Sequence, residues 1–114
     1  MEIELTKDAD DLICNIYSVY KERLKSGVSK SDAKFFGSSH NVHAFIMPGW
    51  KFDDVDDTCR ELSRTGFLNV TWADNIASII FLTDDAIAYC ENRILHKVEE
   101  ATGIIGHIRS LFPS

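Results

Sequence analysis

The stretch LNVTWADNIASIIFL, residues 68–82, constrains the fold more than any other part of the chain. Leu68, Val70 and Trp72 alternate with Asn69 and Thr71, the two-residue period of a strand with one buried face. Ala73, Asp74 and Asn75 supply turn chemistry and IASIIFL returns as a second strand, so an antiparallel hairpin is predicted. The returning strand is apolar on both faces. Ala77, Ile79 and Phe81 are expected on one side, Ile76, Ile80 and Leu82 on the other, with Ser78 the polar break. A hairpin resting on a single core covers one such face, so the other needs a further element or a second chain.

Helical spacing surrounds the hairpin. Before it, Asp53 is the expected N-cap, Val55, Cys59 and Leu62 form an i, i+4, i+7 stripe, and Gly66 ends the helix with Phe67 folding back. After it, Thr83 caps a last helix with Asp84 and Asp85 in its first turn. Its stripe runs through Ile87, Cys90, Ile94, Val98, Ala101, Ile105, Ile108 and Phe112. Upstream, Thr6 caps a first helix that starts with Asp8, Asp10 and Asp11 and carries Ala9, Leu12, Ile13, Ile16, Tyr17, Tyr20 and Leu24 at three- and four-residue steps. Gly27 stops it. Ser29 with Asp32 begins a brief second helix, expected to hold Ala33, Phe35 and Phe36 and to end at Gly37. The following SSHNVHAFIMPGW reads as a connector with at most one apolar turn over residues 42–47, punctuated by Pro48 and Gly49.

Three helices, a hairpin and then LTDDAIAYCENR, with CRELSRTGFLN leading into the hairpin, resemble the winged-helix superfamily. The chain is similar in particular to short winged-helix proteins of Gram-positive bacteria and their prophages, and the likeness covers residues 6–93. It implies an α+β fold, mostly α: a three-helix domain with a β-hairpin wing over residues 1–93, followed by a long C-terminal amphipathic helix over 94–114. It also implies DNA binding, with the third helix in the major groove and the wing on the flanking backbone.

The charges oppose that use of the fold. Residues 52–62 hold five carboxylates against one arginine, a balance of −4, and residues 67–82 hold no lysine or arginine. Such a surface lacks the cations whose counterion release drives binding to phosphates. The one basic district is residues 20–34, where Lys21, Arg23, Lys25, Lys30 and Lys34 outweigh Glu22 and Asp32 by +3. A DNA-binding regulator using that edge is therefore the alternative to a module that works by protein contact. A net charge of −6 also repels a polyanion overall.

Chemistry finds no motif. His40 and His43 could share a helical face, but a closed zinc site needs four ligands and none completes the set. His96 and His107 could approach one another only across a dimer, and the run from Asp53 to Asp57 lacks the glycine and spacing of a calcium loop. No phosphate cradle, nucleophile elbow or Cys–His signature is present, so a non-enzymatic protein without cofactor or metal is expected. Cys14, Cys59 and Cys90 each fall on a helical stripe and read as core thiols of a reducing compartment. The acidic start and the shortness of the longest apolar run predict a soluble cytoplasmic protein without a membrane partner.

With 114 residues and 45% hydrophobic composition the chain can bury one modest core. The tail exceeds that need. From Ile94 its stripe follows four- and three-residue steps to Phe112, widened by Leu95, Ile104 and Leu111 and weakened by Gly103 and Gly106. A homodimer is expected, with Ile94, Leu95, Val98, Ala101, Ile104, Ile105, Ile108, Leu111 and Phe112 in the interface.

Overall fold

Helix α1 (Lys7–Lys25) begins where the sequence places it in the computed structural model of the chain, which describes residues 4–102 and the side chains of residues 4–93. Thr6 caps it, its hydroxyl accepting from the Ala9 amide, and Ala9, Leu12, Ile13, Ile16, Tyr17 and Tyr20 are buried. The order continues with α2 (Lys30–Ala33), β1 (Phe35–Gly37), α3 (Ser39–Phe45), α4 (Phe52–Arg64), β2 (Leu68–Ala73), β3 (Ile76–Leu82) and α5 (Asp84–Thr102). The protein is thus a small, mostly helical α+β fold, with five helices and one three-stranded antiparallel sheet of order β1-β3-β2 among the described residues. α5 runs unbroken past the boundary expected at 93/94.

Three expectations upstream of the hairpin are corrected. Phe35, Phe36 and Gly37 form a strand, because the Lys34 carbonyl accepts from the Leu82 amide at 2.8 Å and Phe35 pairs with Phe81. Helix α2 consequently buries Ala33 alone. The stretch read as a connector contains α3, capped by the Ser38 hydroxyl, which accepts from Asn41 N; only Ser39 and Val42 of its seven residues are buried, so no apolar stripe announces it. At α4 the N-cap is Lys51, which makes no side-chain cap, and Asp53 sits within the first turn. Phe52 is thereby drawn into the helix and stacks on His40 with ring centroids 4.2 Å apart.

The hairpin turns on Asp74 and Asn75, whose φ values of 53° and 64° place both in the left-handed region that a two-residue turn of this hand requires. β2 and β3 keep register from Leu68↔Leu82 to Thr71↔Ile79 and then shift, so that Trp72 faces Ala77. This bulge corrects the expected faces. Ala77 is turned to the core beside Ile80 and Leu82, all three 2% exposed or less, while Ile79 and Phe81 stay outside. Gly66, at φ 83°, lets α4 end in a left-handed cap, with Phe67 N bonded to Leu62 O at 2.9 Å and the Phe67 ring in the core.

Two buried polar side chains join helices to the bulge. Asp56 Oδ1 accepts from Ala77 N at 3.0 Å, and the Ser39 hydroxyl donates to Ala77 O at 3.3 Å. Both backbone groups of one strand residue are thus satisfied by side chains from α4 and α3, as a buried peptide requires.

Candidate interaction surface

The helix that the sequence places as a DNA reader shows Asp53, Asp54 and Asp57 to solvent, whereas Asp56 is buried. One of its two cations is engaged elsewhere. Arg60 stacks over the Trp72 ring at 4.3 Å, bonds Asp56 Oδ2 at 3.3 Å and donates to the Asn75 carbonyl, so it ties the hairpin to α4. Glu61 accepts from the Thr6 amide at 3.2 Å and from the Thr6 hydroxyl at 2.9 Å, fastening the start of α1. Arg64 is exposed. The outward face of α4 therefore stays acidic, with Asp53, Asp54 and Asp57 set against Arg64.

The basic district is divided. Arg23 donates to Ala33 O at 3.1 Å and Phe35 O at 2.6 Å and lies 4.4 Å over the Phe36 ring, holding α1, α2 and β1 together. Lys25 pairs with Glu22 at 3.8 Å. Lys21, Lys30 and Lys34 do share a cleft of about 500 Å³, walled by Tyr20 and Ile87, but Asp84 and Glu91 line it too. Lys34 lies 2.6 Å from Asp84 and this hydrogen bond raises the lysine pKa and lowers that of the carboxyl.

The unpaired feature is apolar. On the outer face of the sheet Phe35, Ile79 and Phe81 are 46%, 41% and 40% exposed, and the two phenylalanine rings lie 5.3 Å apart. Phe35 also borders a groove of about 320 Å³ between α1, β1 and α3, lined by Val19, Arg23, Phe36, Asn41, Phe45 and Ile46. Phe45, on its lip, is 81% exposed. Gly37 forms part of the floor with φ 70° and would bring a Cβ to 3.1 Å from the Asn41 side chain, so the close approach of β1 and α3 needs glycine. Strand alternation places Ile79 and Phe81 on one face of the hairpin, without deciding which of the two faces is spare. Phe35 and Phe45 carry no such signal, because the sequence predicts a helix around Phe35 and a connector around Phe45.

His43 Nε2 lies 2.7 Å from the Trp50 carbonyl and its ring meets Phe52 edge-on, so His40 and His43, both on α3, serve packing of that helix against the start of α4. Among the described residues no group of three or more His, Cys, Asp or Glu is placed to hold a metal ion, and no helix is long and apolar enough to cross a membrane. The interface expected from the tail lies outside the described side chains: Ile94, Leu95, Val98 and Ala101 are on the backbone of α5, and Ile104, Ile105, Ile108, Leu111 and Phe112 are beyond it. Compared with family models, curated proteins and solved structures, the chain matches none.

Proposed function

We propose that the chain is a non-enzymatic winged-helix regulatory module that acts through protein contact, as a homodimer. The order α1, β1, α3, α4, β2, β3 and the sheet order β1-β3-β2 support the winged-helix reading, with α4 as the third helix of the motif and the hairpin as its wing. The observation that carries the functional reading is the outer sheet face, where Phe35, Ile79 and Phe81 remain exposed beside Phe45. A contiguous aromatic face of this kind favours association. The acidic exterior of α4, with Arg60 committed to the hairpin, disfavours phosphate binding. The apolar stripe that the sequence carries from Ile94 to Phe112 adds to the support for such contact.

Sedimentation at micromolar concentration tests this reading. Wild type is expected to be a dimer, and Phe81→Glu and Ile105→Asp each a folded monomer, because an unpaired charge in the interface costs several kcal/mol. A wild type that is monomeric at high concentration, or a dimer indifferent to Phe81→Glu, refutes it.

One observation favours a second reading, the meeting of Lys21, Lys30 and Lys34 around one cleft. A DNA-binding regulator using this edge would bind duplex with a steep salt dependence, abolished by Lys30→Glu plus Lys34→Glu. Absence of binding at low salt eliminates it.

A further inference from the structure

Helices α1 and α5 run antiparallel: Asp10 meets Arg93 at one end of their contact, and Tyr20 and Leu24 share a cleft with Ile87 at the other. Midway the contact brings two of the three cysteines together. Cys90 is buried with its sulfur 3.8 Å from the Ile13 carbonyl oxygen, which belongs to the peptide joining Ile13 to Cys14. Cys14 is only half-buried, its sulfur 4.0 Å from Asp10 Oδ1, and, as the residue directly after Ile13, it neighbours Cys90 across the helix contact. Around them Arg93 bonds Asp10 Oδ2 at 2.7 Å, while the Tyr89 hydroxyl donates to Asp10 Oδ1 at 2.9 Å. Cys59, by contrast, is fully buried on α4, and burial pushes its thiol up to about 12.

We propose that Cys14 and Cys90 form a reversible oxidation site, in which a hydroperoxide converts the pair into a disulfide joining α1 to α5. The Cys14 thiolate attacks the terminal oxygen of the hydroperoxide. A sulfur–oxygen bond forms, the oxygen–oxygen bond breaks, and the leaving alkoxide (or hydroxide) takes a proton from solvent, giving an alcohol or water. The Cys90 sulfur then attacks the Cys14 sulfenic acid, the sulfur–oxygen bond breaks, and hydroxide departs with the Cys90 proton as water. Two thiols lose two electrons and the hydroperoxide gains them.

The assignment of roles follows from the surroundings. Cys14 is the accessible partner, and the neighbouring Cys90 thiol, with Arg93, lowers its pKa to about 7 against burial and the Asp10 charge. The neighbouring Cys14 and burial raise the pKa of Cys90, which suits a thiol that waits protonated for the sulfenic acid. Such a transient bond is compatible with the reducing compartment that the cysteine usage predicts. Because the site rests on the α1–α5 contact alone, it stands or falls independently of the dimer.

The test uses the full chain, treated with hydrogen peroxide under non-denaturing conditions. Free thiols are expected to fall from three to one, with a Cys14–Cys90 linked peptide in a non-reducing digest and full recovery after dithiothreitol. Cys59→Ala should leave this result unchanged. The inference is overturned if both thiols survive peroxide that oxidises free cysteine, if Cys14 proceeds to sulfinic acid with Cys90 still reduced, or if the disulfide links two chains. All of these are read on wild type, so misfolding of a Cys90→Ser variant would not obscure the answer.

Discussion

Replacing Asp56 by alanine should loosen the hairpin from the helices, and the structure allows the size of the effect to be worked out. Asp56 is 6% exposed and its Oδ1 accepts from Ala77 N at the bulge. Alanine leaves that amide buried without an acceptor, a loss of about 1–3 kcal/mol. The second oxygen meets Arg60 at 3.3 Å, but the guanidinium is 38% exposed, so that ion pair contributes no more than about 1 kcal/mol. Asp56→Ala should therefore cost about 1–4 kcal/mol. Asp56→Asn keeps an oxygen for Ala77 and gives up only the charge, for about 0.5–1 kcal/mol. Asp54→Ala, at an exposed position in the first turn, should stay within about 0.5–1 kcal/mol. Urea unfolding at neutral pH measures all three; with a slope of about 2 kcal/mol/M, Asp56→Ala lowers the midpoint by about 0.5–2 M. Equal midpoints for Asp56→Ala and Asp54→Ala would show that the Ala77 amide finds another partner and that Asp56 is one more solvated carboxylate.

Two further perturbations probe the core and the surface. Leu62, fully buried under the end of α4, should cost about 2–5 kcal/mol on replacement by alanine in the same urea assay, and a loss below about 1 kcal/mol would remove α4 from the core. Lys34 holds the Asp84 carboxyl below its ordinary value of 3.8, so the pair's stabilisation is present above that pH and is lost as pH falls through the lowered native value. Thermal melts of wild type and Asp84→Asn should consequently differ at neutral pH and converge in strong acid; a gap that widens on acidification contradicts the pairing.

Elements whose signal is local were legible in the sequence. The stripes of α1 and α4, the caps Thr6, Ser29 and Thr83, the stop at Gly66 and the Asp74–Asn75 turn all sit as read, because each depends on neighbours within one or two turns of chain. Phe35 to Gly37 deceived because three residues cannot display a period, and their strand identity comes from β3, more than forty positions later. Ser39 gave no sign of being buried, since its hydroxyl partner is the Ala77 carbonyl. The four aspartates look alike in sequence, and only the bulge in β3 distinguishes Asp56 from the others. Of the candidate surface, Ile79 and Phe81 followed from strand alternation, but their union with Phe35 and Phe45 required the register of β1 and the path of α3.

The three-stranded sheet carries a consequence for the order in which the chain assembles. β2 and β3 close through a two-residue turn, a search that takes on the order of microseconds. β1 reaches β3 only by pairing Phe35 with Phe81, a much longer loop with a correspondingly greater entropic barrier. The hairpin should thus exist as a two-stranded ribbon before its third strand arrives, with the edge that will receive Lys34 O still wet. Pulse-labelling hydrogen exchange would register this as late protection of the Leu82 amide, whose acceptor is that carbonyl, relative to the ladder amides of the hairpin. Simultaneous protection of all of them would mean that the sheet condenses in one step. On the sequential route, the aromatic pair of Phe35 and Phe81 forms last, and the face that it completes is created only at the end of folding.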